Sequence, residues 1–124
     1  MLKPRGEIII QTVTMPADTN ANGDIFGGWL LSQMDLAAGV VAKRLSRGRV
    51  ATVAIESMTF LKPVHVGDLI SCYVELIKIG HTSLTLAVEV WTKNIATGEH
   101  YPVTSGNFVF VAIDEQRKPR QVPK

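Results

Sequence analysis

The sequence predicts an α+β fold in which one long helix is wrapped by a five-stranded antiparallel sheet. One helix-length segment, which begins at Gly27-Gly28, lies among runs that are rich in β-branched residues. Short turn-prone joints such as Gly80-His81 connect most of these runs, which favours antiparallel neighbours. Residues 83–90 alternate apolar with small or polar side chains, the period of a sheet with one buried face.

The elements follow in order along the chain. Residues 7–14 form a β-branched run and are predicted as the first strand, and residues 15–26 collect Pro, Asp, Asn and Gly, which indicates an irregular loop. The helix is predicted to end at Lys43 or Arg44, because the helix dipole favours cations in the last turn. Four further strands are predicted at residues 50–60, 69–79, 82–93 and 103–113, and residues 115–124 are predicted as a loosely held tail.

A strand, a helix and four antiparallel strands that curl around the helix describe the hotdog fold. The helix is apolar over most of its circumference, as expected of a helix that a curved sheet wraps. A length of 124 residues fits a single domain with one core.

Composition and charge exclude several classes of protein. Hydrophobic residues make up 46% and charged residues 19%, so disorder is not expected. The net charge of +2 arises largely in the tail and not on a patterned face, which disfavours nucleic acid as a partner. Cys72 is the single cysteine, so no intramolecular disulfide forms and a reducing compartment fits. The first residues lack the apolar core of a signal peptide and the helix is too short and polar to span a bilayer, so we expect a cytoplasmic protein.

Asp35 is the one charged residue between Gly27 and Ala42. A carboxylate within an apolar helix is costly to desolvate unless it is paired, hydrated or used in chemistry. Two interpretations stay open at this point: Asp35 is a catalytic base, or it pairs with a cation or caps a neighbouring backbone segment.

The start of the helix offers unpaired backbone N–H groups that hold an anion or an oxyanion. Gly27 and Gly28 would let a carbonyl approach the amides of Gly28 and Trp29, or they would simply permit a sharp turn. Eight positions separate Gly27 from Asp35, which is roughly 12 Å along a helix. A base acts within roughly 3 Å of its target. If both elements act together, the economical arrangement is a composite site at a homodimer interface.

Several motifs together resemble the YciA-like acyl-CoA thioesterases, a hotdog-fold group. The resemblance rests on Asn22-Gly23-Asp24-Ile25-Phe26-Gly27-Gly28-Trp29 with Ser32-Gln33-Met34-Asp35, and on 53–58, 60–63, 66–68 and 79–83. It implies hydrolysis of an acyl-CoA thioester to a carboxylic acid and coenzyme A, with no further cofactor. It also implies a homo-oligomer, by analogy a hexamer built as a trimer of dimers.

The resemblance also implies roles for single residues. Asp35 would be the general base that activates water, or alternatively a nucleophile that forms an anhydride, and the carbonyl oxygen would lie on amides beginning at Gly28. Asp24 replaces the Asn of several relatives and would orient water or thioester from the partner protomer. Phe26 replaces the His of many relatives, which argues against chemistry assisted by histidine. Further residues proposed to bind the coenzyme or the acyl group are Asn22, Trp29, Met34, Ser57, Met58, Phe60, Lys62, Lys78, Gly80, His81, Thr82 and Ser83, with Arg44, Arg47 and Arg49 as further cations.

Other chemistries lack their motifs. His65, His81 and His100 show no metal-ligand spacing, so no metal site is predicted. Neither a Gly-x-Ser-x-Gly elbow nor a Walker-type loop is present, and Cys72 lies in an apolar strand as an expected core residue. Two alternatives remain, a non-catalytic acyl-CoA sensor or carrier and a hotdog dehydratase or hydratase, and the missing histidine near the helix weighs against the second.

Overall fold

The computed structural model describes residues 3–123. The elements are strand β1 (Glu7–Val13), helix α1 (Gly27–Ser46) and strands β2 (Val50–Phe60), β3 (Leu69–Ile79), β4 (Ser83–Lys93) and β5 (His100–Ala112). The strands form one antiparallel sheet in the order β1-β3-β4-β5-β2, so β1 and β2 are its edges. This architecture confirms the predicted fold.

Helix α1 packs one apolar face on the sheet. Its buried residues recur three or four positions apart, the spacing of one helical face: Leu30, Met34, Ala37, Ala38, Val41 and Ala42. They meet Phe108, Val88 and other inward-facing side chains of the sheet in one core. Each buried Leu, Val or Phe side chain contributes about 1.5–3 kcal/mol, so this face fixes the helix to the sheet.

The sheet covers less of the helix than the sequence predicts. Leu36 and Val40 are exposed by 59% and 53% on the face that points away from the sheet. Edge strand β2 is similarly open, because Val53 and Ile55 are also exposed. The helix is therefore packed on one side, and its second apolar side is left uncovered in a single chain.

Residues 120–122 are packed, which contradicts the prediction of a loosely held tail for this part of the chain. The Arg120 guanidinium donates hydrogen bonds to the carbonyl oxygens of Ile113 (2.9 Å), Ser46 (3.0 Å) and Arg49 (3.3 Å). Val122 is 1% exposed and packs in a small cluster beside Leu84. The tail closes the end of the core next to the C-terminus of α1, where helix carbonyls need donors.

Among residues 3–123, no helix is both long enough and apolar enough to cross a membrane. Within the same range, no three His, Cys, Asp or Glu side chains cluster in a way that could hold a metal ion.

Candidate active site

Asp35 lies in the middle of α1, half-buried between the packed and the open face. The Thr52 hydroxyl on β2 donates a hydrogen bond of 2.6 Å to Oδ1 of Asp35. Within the described chain, neither a cation nor a backbone amide pairs with this carboxylate. The structure therefore disfavours the interpretation of Asp35 as a salt-bridge or capping residue. Thr52 fixes one oxygen and leaves Oδ2 available.

A cleft of about 340 Å³ opens beside the Asp35 carboxylate. Its walls are mostly apolar and come from α1, from the start of β2 and from β5: Leu36, Gly39, Val40, Lys43, Val50, Thr52 and Phe110. A carboxylate on an apolar wall with one free oxygen is chemically suited to take a proton from water.

At the start of α1, two backbone amides are free. Among residues 3–123, the N–H groups of Gly27 and Gly28 have no acceptor. The N–H of Trp29, in contrast, donates to the Phe26 carbonyl at 3.0 Å. The first turn of the helix already uses the Trp29 amide, so among residues 3–123 the free amides at this end of the helix are those of Gly27 and Gly28. The side chain of Trp29 is half-buried and packs against the core.

Glycine at positions 27 and 28 is not required by the local backbone. Neither residue has a positive φ. An added methyl group at Gly27 would lie 3.5 Å from the Phe60 ring, and one at Gly28 would lie 3.9 Å from the Phe26 ring, both ordinary contacts. The interpretation of the two glycines as a forced sharp turn therefore loses its basis. Because glycine has no side chain, these two residues leave the two free amides open to close approach by a ligand.

A second cleft of about 340 Å³ lies at the same end of the helix. The cleft is lined by residues of the helix-entry loop, the first turn of α1 and the end of β2: Asn20, Asp24, Ile25, Gly27, Leu30, Phe60, Leu61, Lys62, Pro63 and Val64. Asp24 Oδ1 lies 3.6 Å from Nδ1 of His65. The Nζ atom of Lys62 lies 4.7 Å from the centre of the Tyr101 ring. Of the predicted site residues, this cleft brings together Asp24, Gly27, Phe60 and Lys62.

Asn20 is a cleft residue that the sequence analysis missed. Its Oδ1 accepts hydrogen bonds from the backbone N–H groups of Asn22 (2.9 Å) and Asp24 (3.2 Å). These bonds orient the side-chain amide and leave its NH₂ group as a donor. Asn22, which was predicted to bind substrate, is exposed and does not line the cleft. The signal that could have found Asn20 is the turn that its oxygen caps, a typical role of Asn in loops.

Several other predicted binding residues lie elsewhere. Met34 is fully buried and belongs to the core, and Met58 packs partly against it. Ser57 has a positive φ of 55° within an irregularity of β2 and lines a different cleft, with Arg5 and Glu89. Arg44 forms a 2.9 Å ion pair with Glu7.

The predicted binding residues Lys78, Gly80, His81, Thr82 and Ser83 lie at the turn between β3 and β4. This turn is at the C-terminal end of α1, where the His81 carbonyl accepts from the N–H of Val122. Because the 20 residues of α1 span about 30 Å, one chain does not bring this turn to the cleft at the helix start.

The comparisons identify the family. Residues 22–99 match the model of the thioesterase superfamily. The chain is 51% identical over 123 residues to the acyl-CoA thioester hydrolase YciA of Salmonella typhimurium, which covers 97% of this chain and 92% of that protein. The chain belongs to this superfamily, within the YciA acyl-CoA thioester hydrolases. This membership confirms the family that the motifs indicate.

Solved structures agree with this assignment. The hexameric thioesterase of Yersinia pestis has a TM-score of 0.94 at 52% identity, covering 98% of this chain and 99% of that one. An acyl-CoA hydrolase of Staphylococcus aureus, solved with butyryl coenzyme A and coenzyme A, has a TM-score of 0.85 at 28% identity, covering 92% of this chain and 70% of that one.

Two further structures of the Staphylococcus aureus hydrolase carry an alanine in place of an aspartate or of an asparagine. The aspartate and the asparagine replaced there are 15 positions apart. Asn20 and Asp35 have the same separation in this chain.

Proposed function

We propose that this protein, an acyl-CoA thioester hydrolase, cleaves its substrate in a site shared between two protomers. Asp35 of one protomer activates water, and the free amides of Gly27 and Gly28 at the helix start of the other bind the carbonyl oxygen. One rigid helix holds both a free carboxylate oxygen and free amides, and these two elements are too far apart to act on the same carbonyl. This separation is the observation that carries the proposal.

The separation follows from helix geometry. Gly27 and Asp35 lie eight residues apart on α1, or about 12 Å. A general base and an oxyanion donor must both lie within roughly 3 Å of atoms of one reacting group. Bending the helix would break the contacts of Leu30 and Met34 with the core. A second copy of the chain is the simpler source of the missing element.

The exposed apolar surface supports a second copy at this position. Leu36 and Val40 on α1 and Val53 and Ile55 on β2 are uncovered. Strand β2 is also an edge with unpaired backbone groups, which pair readily with another strand. Closed symmetric homodimers bury such surfaces against themselves. With a hexameric relative at 52% identity, we propose a hotdog dimer that assembles into a hexamer as a trimer of dimers.

The reaction balances with the groups present. Oδ2 of Asp35 takes a proton from water while the water oxygen bonds to the thioester carbon, and the carbonyl oxygen gains negative charge against the free amides. When the carbon–sulfur bond breaks, the proton on Asp35 passes to the sulfur of coenzyme A. Thr52 keeps the carboxylate aligned throughout, because it donates to the oxygen that does not move a proton.

Asn20 takes the orienting role that the sequence analysis gave to Asp24. Asn20 lines the cleft at the helix start, and its NH₂ group is suited to donate a hydrogen bond to the attacking water or to the thioester carbonyl. Asp24 lies in the same cleft near His65 and has no such donor. The apolar wall formed by Leu30 and Phe60 is suited to the acyl group.

The experiment measures thiol release from a panel of acyl-CoA chain lengths with a thiol-reactive dye, for the native enzyme and for Asp35→Asn. We expect turnover by the native enzyme and a loss of about 10²–10⁴-fold in kcat for the variant, with KM little changed. Glu75→Gln removes an acid that lines neither cleft and serves as the control. Saturable binding without turnover by the native protein would instead support the sensor or carrier alternative.

A further inference from the structure

The cleft at the start of α1 contains a carboxylate that the proposed reaction does not use. Asp24 lines this cleft together with Gly27, whose free amide is proposed to bind the carbonyl oxygen. That oxygen gains negative charge in the transition state, and a second negative charge in the same cleft opposes the change. A cation held against Asp24 would therefore favour the reaction.

Among residues 3–123, His65 is the one residue that forms an ion pair with Asp24. Its Nδ1 atom lies 3.6 Å from Oδ1 of Asp24. The two residues face each other in an isolated antiparallel bridge, which brings their side chains together. The neighbouring N–H of Ile25 donates to the carbonyl of Val64 at 2.9 Å and holds the two segments in this register.

Hydrogen bonds on both sides fix the backbone of His65. Its N–H donates to Oδ2 of Asp68 at 3.2 Å, and its carbonyl oxygen accepts from the Thr14 hydroxyl at 2.8 Å. Asp68 is buried, and its Oδ2 also accepts from the Thr92 hydroxyl of β4 at 3.3 Å. His65 therefore presents its ring to Asp24 from a position that is anchored to the sheet.

The strength of this pair depends on pH. Histidine changes its charge between about pH 5 and pH 8, and the largely exposed ring of His65 exchanges protons with bulk water. The ring attracts the Asp24 carboxylate only while it is protonated. The negative charge in the cleft is then compensated at the lower end of this pH range and uncompensated at the upper end.

Other charged groups near the pair are engaged elsewhere. Oδ2 of Asp18 in the helix-entry loop accepts from a backbone N–H of its own turn at 3.1 Å. The Lys62 ammonium lies over the Tyr101 ring. Burial, followed by the nearby carboxylates of Asp68 and Glu99, raises the pKa of Tyr101 above its ordinary value of 10.0, so the phenol stays neutral across this pH range.

We propose that His65 is a positioning residue for hydrolysis that acts through Asp24: its protonated ring holds the carboxylate and compensates its charge beside the oxyanion amides. This inference rests on the proposed function, because it uses the oxyanion role of the Gly27 amide. The opposing charge matters only once the oxyanion forms, so protonation of His65 should raise kcat and leave KM unchanged. The expected gain is about two- to fivefold, the range typical of exposed ion pairs.

The test compares the native enzyme with His65→Gln and His65→Lys at about pH 5.5 and about pH 8, with thiol release followed by a pyridyl disulfide dye. Comparing variants at one pH cancels the titration of every other group. The native kcat should exceed that of His65→Gln about two- to fivefold at the lower pH and equal it at the higher pH. Lysine stays charged at both values, so His65→Lys should keep the advantage at both, and high salt should reduce it.

Two further variants show whether the effect passes through Asp24. Asp24→Asn removes the charge but keeps the backbone groups that bond to Asn20. In this background, adding His65→Gln should change kcat at neither pH. His100→Gln is the matched control, because its ring packs 4.8 Å from that of Trp91 and lines neither cleft. This control should keep the native kcat and its pH dependence.

Three results would overturn the proposal. A ratio of native to His65→Gln kcat that is the same at both pH values would show that the charge of the ring has no part in the reaction. A ratio that persists in the Asp24→Asn background would show that His65 acts by another route. If the native enzyme releases no thiol at either pH, the proposed function fails together with this inference, whereas turnover that ignores the charge of His65 overturns this inference alone.

Discussion

The free amide of Gly27 offers a clean way to remove one oxyanion donor without disturbing the fold. In Gly27→Pro the backbone N–H is deleted, and this N–H has no acceptor among residues 3–123. Gly27 is the first residue of α1, the position where proline is best tolerated in a helix. The preceding residue, Phe26, has φ −62° and ψ 128°, the extended conformation that proline imposes on its predecessor. We therefore expect little loss in the free energy of unfolding.

The cost to catalysis should be large. Removing one oxyanion donor typically lowers kcat by about 10²–10³-fold, or roughly 2.7–4 kcal/mol of transition-state stabilisation. Gly27→Ala is the control, because it keeps the N–H and adds a methyl group that meets the Phe60 ring at 3.5 Å. The alanine variant should keep kcat within about tenfold of the native value, since a methyl group removes no donor.

The assay is kcat from thiol release with a saturating acyl-CoA, alongside thermal unfolding of each variant. A proline variant that folds normally and keeps native kcat would refute the assignment of the Gly27 amide. Equal losses in the alanine and proline variants would refute it as well, because the missing N–H would then not be the cause.

Further predictions concern the groups that support the site. Thr52→Val should lower kcat about tenfold to a hundredfold, because it removes the hydroxyl that holds the Asp35 carboxylate. Thr52→Ser should keep this hydroxyl and most of the activity. Equal kcat values in the two variants would contradict the role of Thr52 in positioning Asp35. In steady-state kinetics, Asn20→Ala should reduce kcat at least tenfold and Asn22→Ala should not. A loss of kcat in Asn22→Ala but not in Asn20→Ala would assign the orienting role to Asn22 instead. Burial raises the pKa of the Cys72 thiol to about 12, so the native enzyme should not react with the thiol dye. An unfolded chain loses this proton near the ordinary pKa of 9.0, so the stability that the buried thiol contributes should decline as the pH rises above about 9. Urea unfolding at several pH values would measure this decline, which should be absent in Cys72→Ala.

The number of strands and most of their limits were predictable because they depend on local patterns, although β5 begins at His100, three residues before the predicted start at residue 103. Alternation in residues 83–90 and the turn at Gly80-His81 placed β3 and β4 to within one residue. Because only one segment has the length of a helix and the others are β-branched runs, few fold topologies were compatible with the sequence. Asp35 was recognisable for a similar reason, since one charge in an apolar helix stands out without knowledge of any contact.

The features that were missed depend on contacts between distant parts of the chain. The tail looked loose because Arg120 and Val122 are unremarkable in sequence, yet they meet Ser46 and His81 across the fold. The use of the Trp29 amide depends on the backbone angles of Phe26, and periodicity does not report those angles. The role of Asn20 depends on a turn that orients its side chain.

The shared site is tested most directly by mixing two inactive proteins, Asp35→Ala and Gly27→Pro, under conditions that exchange protomers. In a mixed dimer one site receives the intact carboxylate from one chain and the intact amide from the other, and the second site has neither. Random exchange should then restore about a quarter of the native kcat per protomer pair, since half of the dimers are mixed and each has one intact site. A mixture that stays as inactive as its two components, although exchange is demonstrated by differently tagged chains, would contradict a site built from two protomers.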